Sequence, residues 1–306
     1  MHQNRTYSGI WPVAPTPFHD DGTLDRDGMR RVLDCMIDQG VDGICILANF
    51  SEQFLLSDDE RETLTSLSLE HVGGRVPVIV TCSHFSTDIV VARARLAKEL
   101  GAAMIMLMPP YHGATMRGTP EQTFEQFARA GDVGIPIMVQ DAPLSGVDLS
   151  VELLGRMARD IDMLKCFKIE TPQAASKLRA LIAAGGDAIE GPFDGEEGIT
   201  LLADLDAGAT GSMTSASIPD VIRPAISAHL DGDRDTAKAV YERVLPFINH
   251  ENRLCGFRAA KALMNEGGVI ASEFCRHPIP PLLPEVRATL IDLARGLDPI
   301  ALRWGR

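Results

Sequence analysis

The chain has 306 residues, 45% of them apolar and 23% charged, the balance of an ordinary globular enzyme. Its 29 basic against 42 acidic residues give a net charge of −13, which argues against a nucleic-acid or anionic-membrane surface but leaves room for one local anion site. No stretch approaches the roughly 18 apolar residues of a membrane span, and MHQNRTYSGI lacks the basic region and apolar run of a signal peptide.

Short, continuous apolar runs recur along the chain at 9–15, 43–48, 76–81, 103–108, 135–140, 163–169, 187–191 and 209–214. Runs of this kind suit strands buried on both faces. The segments between them read as helices. RDGMRRVLDCMIDQG places Met29, Val32, Leu33 and Met36 at helical spacing and stops at Gly40. DDERETLTSLSLEHVGG opens with acids after Ser57, an N-cap signature, and ends in Gly73 and Gly74. Further helices are expected over 87–100, 119–131, 150–160, 172–184 and 195–206. Eight strands alternating with helices, with no G-x-G-x-x-G after the first, favour a closed (β/α)8 TIM barrel over a doubly wound dinucleotide sheet. After about residue 215 only helical patterns remain, in IPDVIRPAISAHL, RDTAKAVYERVLPFIN, RAAKALMNEGG and PEVRATLIDLARGL. The expectation is one α/β domain, a barrel over 1–215 with a C-terminal helical extension over 216–306.

Barrel active sites lie at the C-terminal ends of the strands. Of the six lysines, Lys98, Lys177, Lys238 and Lys261 fall in helical patterns and read as solvated surface amines, whereas Lys165 and Lys168 lie in the sixth strand. Side chains alternate along a strand, so Leu164, Cys166, Lys168 and Glu170 share one face and Lys165, Phe167 and Ile169 the other. Lys168 is then the inward lysine near the top of the barrel. A buried amine loses solvation in its charged form and becomes a nucleophile. The plain alternative is a structural ion pair with Glu170. His84 follows the third strand and His112 the fourth, where a site would be, although either one taken alone reads more readily as an ordinary loop histidine. The six cysteines form no C-x-x-C pair and read as free thiols of a reducing compartment, which places the protein in the cytoplasm. Cys275 and His277 are too few for a metal site, and no strand-end acidic cluster calls for Mg²⁺ or Zn²⁺.

In order and spacing these motifs resemble the dihydrodipicolinate synthase and N-acetylneuraminate lyase family of class I aldolase-type barrels. GIWPVAPTPFHDDGTLD resembles the family's opening strand and T-P-F turn, and GICILANFSEQFLLSDDER occupies the place of its G-T-T-G-E loop. VPVIV, MPPYHG and IPIMVQDAP match strands three to five, and GATGSMTS matches strand eight. CFKIETP carries the family's Schiff-base lysine, which maps onto Lys168. The resemblance implies a homo-oligomer, tetramer or dimer, and acid–base chemistry around an imine, for which neither a metal nor an organic cofactor is expected.

Departures from the family narrow the function. The G-T-T-G-E loop reads Ala48-Asn49-Phe50-Ser51-Glu52 here. Asn49 and Ser51 can still donate to a substrate carboxylate, while Phe50 cannot replace the family's hydroxyl. The family's strand-five tyrosine is Gln140, which cannot act as acid or base near neutral pH. The arginine that the synthases use shortly afterwards is absent from Leu144-Ser145-Gly146, so lysine biosynthesis is not expected. The strand-four tyrosine is kept as Tyr111, followed by His112. The strings ILANFSEQF, PPYHGAT, MVQDAP, FKIETP, EGPFDGEE and GGVIASE resemble those of the L-2-keto-3-deoxyarabonate dehydratases. That likeness implies a 2-keto-3-deoxy acid substrate, with Lys168, Gln140, Tyr111 and Glu170 as catalytic candidates. Asn49, Phe50, Ser51, His84 and His112 are the binding candidates, with His84, Glu170, Tyr111 or a water as the general base. The alternatives are an aldolase releasing pyruvate, against which Gln140 counts, and a non-catalytic keto-acid sensor, against which the retention of Lys168 counts.

Overall fold

The computed structural model describes residues 5–113 and 115–306. In chain order it contains β1 (Gly9–Ile10), α1 (Arg26–Asp38), β2 (Ile44–Ile46), α2 (Asp58–Val72), β3 (Val78–Thr81), α3 (Thr87–Glu99), β4 (Met104–Leu107), β5 (Tyr111–His112) and β6 (Met116–Arg117). There follow α4 (Pro120–Gly131), β7 (Ile137–Asp141), α5 (Val151–Asp160), β8 (Leu164–Ile169), α6 (Ala174–Gly185), β9 (Gly191–Asp194), α7 (Leu201–Asp206) and β10 (Gly211–Ser212). Four helices close the chain: α8 (Pro219–Leu230), α9 (Arg234–His250), α10 (Arg258–Glu266) and α11 (Pro284–Leu297). All strands except the β5–β6 hairpin are parallel and alternate with helices, so the fold is the (β/α)8 class with C-terminal helices.

Local signals set most of these boundaries. Ser57 accepts from the Glu60 amide while the Glu60 carboxylate accepts from the Ser57 amide, a reciprocal cap, and α2 ends at Gly73 with φ 56°. Thr119 and Gln122 cap α4 in the same way, with Pro120 in its first turn.

Three elements differ from the sequence expectation. The seventh strand is not 187–191 but Gly191–Asp194, because Pro192 and Asp194 disguise it. Residues 186–188 instead form a short 3-10 turn after α6. The helix expected from 195 begins only at Leu201, after a turn in which Glu197 adopts φ 51°. The β5–β6 hairpin was not expected, since neither two-residue strand has an apolar run.

The described residues fall into two compact units. One comprises those up to Gly9 with Ile79–Met213, the other Ile10–Val78 with Thr214–Arg306. In the first, parallel strands run in the order β3-β4-β7-β8-β9-β10. Ile105, Leu107, Ile137, Val139, Phe167 and Ile169 are fully buried there, as in a sheet covered on both faces. In the second, Val13 bridges both Cys45 and Ser215 in parallel, and the amide of Ala14 donates to Cys45 O at 2.8 Å. The C-terminal helices belong to this second unit together with α1 and α2.

Lys261 of α10 is a correction: far from being a solvated surface amine, it is buried. Its Nζ pairs with Glu52, donates to Phe274 O at 2.8 Å and lies 4.4 Å from the Phe18 ring centroid. Five cysteines are buried and Cys275 is half-buried, and none of the six is in a disulfide. No helix among the described residues is long and apolar enough to cross a membrane.

Candidate active site

Strand β8 presents its two lysines to opposite surroundings. Lys165 Nζ is 2.7 Å from Glu190 Oε1, with both side chains more than a quarter exposed. Lys168 is buried, and its Nζ lies 2.5 Å from Glu170 Oε1. The register of β7 against β8 sets Gln140 opposite Lys168, and parallel neighbours in register share a face. Gln140 Nε2 accordingly donates to the same Glu170 oxygen at 2.8 Å. One carboxylate oxygen thus receives both an amine and an amide.

The amide of Gln140 has one orientation consistent with this arrangement. Two oxygens turned toward each other would repel, so the nitrogen faces Glu170. The other end, Gln140 Oε1, is buried and has no partner among the described residues. A buried acceptor without a donor costs about 1–3 kcal/mol, which a substrate hydroxyl would recover. Next along β7, Asp141 is buried, and burial raises its pKa against the pull of Lys177, whose Nζ lies 2.6 Å away. Lys177 is therefore a second helical lysine that is not a free surface amine.

The remaining candidates in this unit are arranged more loosely. Tyr111 sits on β5, half-buried, its hydroxyl without a partner among the described residues and its pKa raised by burial. His112 is exposed, its ring 6.3 Å from that of Phe85. His84 is exposed and accepts from the Ser86 amide at its Nδ1, 2.9 Å away. The structure therefore joins Lys168, Glu170 and Gln140 by direct hydrogen bonds.

In the second unit, Asn49, Phe50 and Ser51 form a 3-10 turn followed by Glu52 at φ 58°. The Ser51 hydroxyl donates to Ala14 O at 2.7 Å and accepts from the Ala48 amide at 3.2 Å. The Asn49 side-chain oxygen accepts from Gln53 Nε2 at 2.6 Å, and the Phe50 ring meets Phe257 edge-on at 6.3 Å. Ser51 thus holds the turn's own backbone.

Two acids near β8 escaped the sequence reading. Asp194 on β9 is in register with Ile169, on the face opposite Lys168, and is fully buried. Ser212 donates to its Oδ2 at 2.5 Å. Burial, reinforced by the neighbouring Asp204 carboxylate, pushes Asp194 well above the usual carboxylate range. Asp204 of α7 is also buried, also raised by burial, and accepts from Thr200 at 2.6 Å. Two buried carboxyls in contact favour holding one proton between them. Reading the strand as 187–191 left Asp194 in a loop, and an acid in a loop reads as solvated. Among the described residues no group of three or more His, Cys, Asp or Glu side chains could hold a metal ion.

Comparison with known proteins agrees with this geometry. The model of the dihydrodipicolinate synthetase family matches residues 6–295. An L-2-keto-3-deoxyarabonate dehydratase from Azospirillum brasilense is 61% identical over 299 residues, which cover 97% of each chain. A 4-hydroxy-tetrahydrodipicolinate synthase from Xanthomonas axonopodis pv. citri is 30% identical, covering 90% of this chain and 89% of its own. A solved dihydrodipicolinate synthase from Rhodopseudomonas palustris superposes with a TM-score of 0.85 at 26% identity, covering 95% of this chain and 98% of that one.

Proposed function

The chain belongs to the dihydrodipicolinate synthetase family, and from that premise we propose that it is a Schiff-base dehydratase converting L-2-keto-3-deoxyarabonate to 2-oxoglutarate semialdehyde and water. The 61% identity to a dehydratase of that substrate carries the reading. Gln140, with its donor committed to Glu170 and its acceptor open, supports it from the chemistry.

The steps balance on this chain's own groups. Lys168 Nζ adds to the C2 ketone and water leaves, giving an iminium. A base removes a C3 proton, and the C–H electrons form the enamine. The enamine nitrogen's lone pair re-forms the C2–N double bond, the C2–C3 π electrons shift to C3–C4, and the C4 hydroxyl departs with the C–O electrons and a proton as water, leaving a C3–C4 double bond. Loss of a C5 proton gives a dienamine that is an enol at C5. Protonation at C3 and then C4 yields the aldehyde, and hydrolysis of the imine restores the amine. Glu170 is the base the geometry favours, because its Oε1 already faces Lys168 Nζ. Gln140 Oε1 accepts a substrate hydroxyl but cannot take its proton, so the C4 oxygen leaves rather than becoming a carbonyl. An aldolase needs that proton removed to break C3–C4.

The Asn49–Ser51 turn is the proposed receiver of the substrate carboxylate, Tyr111 the proposed donor to a substrate oxygen, and His84 and His112 the proposed rim of the site. We keep the chain as one domain, a barrel over 1–215 with an extension over 216–306, which a single cooperative unfolding transition would support. It works in the cytoplasm as a homo-oligomer, dimer or tetramer. Exposed Phe85, Ile89, Met116 and Leu144 in the first unit supply apolar surface for such contacts, and sedimentation analysis measures the state.

Incubation with a panel of 2-keto-3-deoxy acids tests the function. 2-Oxoglutarate semialdehyde as the main product is expected from L-2-keto-3-deoxyarabonate. Pyruvate with glycolaldehyde would make the protein an aldolase, and binding without turnover would make it a sensor.

A further inference from the structure

Gly195 follows β9 directly, and its amide donates to Ile169 O at 3.1 Å. A Cβ built on Gly195 would lie 2.7 Å from Lys168 Cγ, 2.7 Å from Glu170 Cγ and 3.0 Å from Ile169 O. Carbon atoms not bonded to each other do not approach so closely. The backbone of Gly195 is not in the left-handed region that favours glycine. Glycine is required here for space, not for backbone freedom.

The two blocked atoms are informative. Both are the first methylene beyond Cβ, so each fixes the χ1 of its side chain rather than the far end of a flexible stem. They belong to the amine and to the carboxylate, which meet at 2.5 Å. The main chain at Gly195 therefore lies against both stems at once, and a methyl group would push both away. Ile169 O, the third near atom, is backbone held by the Gly195 amide, and cannot yield without loosening β8 against the segment after β9.

The structure assigns Gly195 as a positioning residue for the Schiff-base reaction, which holds the Lys168 and Glu170 stems in the rotamers that bring Nζ and Oε1 together. This rests on reading Lys168 as the imine-forming residue. Gly195 itself touches no reacting atom. Its effect passes through the direction in which the Lys168 stem aims the amine, toward the substrate carbonyl as well as toward Glu170, so imine formation is the step it governs.

The test is Gly195→Ala in the full-length protein, with borohydride inactivation in the presence of pyruvate followed across pH, and with melting and circular dichroism as controls. Since the backbone angles of Gly195 lie outside the left-handed region and suit alanine, the variant is expected to keep the wild-type spectrum. Its trapping rate is expected to fall about tenfold or more, as small misplacements of reacting groups do. The pH dependence of trapping is expected to move as Lys168 separates from Glu170, which a purely structural role would not cause. The pyruvate concentration for half-maximal trapping is expected to change far less. Wild-type trapping rate and pH profile in Gly195→Ala would overturn the assignment. If that variant does not fold, Glu170→Ala/Gly195→Ala is compared with Glu170→Ala, which lacks one of the two blocked methylenes. Slower trapping in the double variant supports the assignment, and equal trapping overturns it. Failure of wild-type enzyme to label at Lys168 would instead refute the Schiff-base reading itself.

Discussion

Gln140 and Lys168 face each other in register on β7 and β8 and meet on one atom, Oε1 of Glu170, at 2.8 and 2.5 Å. The amine is thereby in contact with a proton acceptor, and the amide is turned so that its oxygen is left for a ligand.

Lys168→Ala is expected to lower turnover by on the order of 10³-fold or more while leaving the fold intact, since the electron sink is lost and no neighbouring amine replaces it. Borohydride with pyruvate should add mass to the wild-type peptide containing Lys168. Labelling at Lys165, which is paired with Glu190 on the other face, would overturn the strand-face argument.

Gln140→Leu keeps the volume and removes both the donor to Glu170 and the open acceptor. A loss of about 1.5–3 kcal/mol in kcat/KM, or roughly ten- to hundredfold, is expected if the hydrogen bonds are charge-assisted. Gln140→Tyr should lower dehydration and release some pyruvate. Unchanged dehydration in both variants would remove Gln140 from the mechanism.

Glu251 gives a pH dependence of stability. It is buried, accepts from Ser215 and Ser217 at 2.7 and 2.6 Å, and is pushed by burial from 4.5 to about 7. The folded state keeps this proton in a window where the unfolded chain has lost it. The favourable contribution is therefore full below 4.5 and is lost as pH rises to about 7, by roughly 3 kcal/mol in all. Urea unfolding at pH 5 and pH 8 should show the difference, and Glu251→Gln should shrink it. An equal pH difference in the variant would disprove the assignment.

The Asp194–Asp204 pair gives a second. Because Asp194 is raised, its favourable contribution is present at acid pH and lost as pH climbs above the ordinary carboxylate range. Asp194→Asn preserves the acceptor for Ser212 and replaces the shared proton with a permanent N–H donor toward Asp204. A higher melting temperature at pH 8, with little change at pH 5, is expected. A lower melting temperature at both would refute the shared proton.

Lys261→Met should destabilise the protein by about 3–5 kcal/mol, because it leaves the Glu52 carboxylate buried without its cation. Glu52→Gln/Lys261→Met removes both charges and is expected to recover much of that loss in urea unfolding. If the single and double variants unfold at the same midpoint, the buried pair is not what holds α10 to this turn.

Strand and helix succession was legible because a sheet buried on both faces writes itself as apolar runs, and caps such as Ser57 and Thr119 mark where helices begin. Lys168 was legible because alternation along β8 separates it from Lys165. What escaped depends on contacts distant in sequence. Lys261 and Lys177 lie in patterns typical of surface helices, and only their acidic partners Glu52 and Asp141 explain their burial. The seventh strand escaped because Pro192 breaks the alternating pattern, and Asp194 and Gly195 were lost with it. A glycine that makes room for two side chains from another strand leaves no local signal at all.

The division into units also has a consequence for synthesis. Ile79–Met213 emerges from the ribosome as one uninterrupted segment, and the residues up to Gly9 that share its unit have already been made. Ile10–Val78 emerges earlier, yet the companion segment that completes its unit begins only at Thr214. The first strand–helix pairs can cover one another in part, as α1 and α2 do, but any apolar surface that the companion segment covers must wait until the last helices are translated. A nascent chain stalled before Thr214 would display that surface to chaperones, while its later-made middle could already be folded.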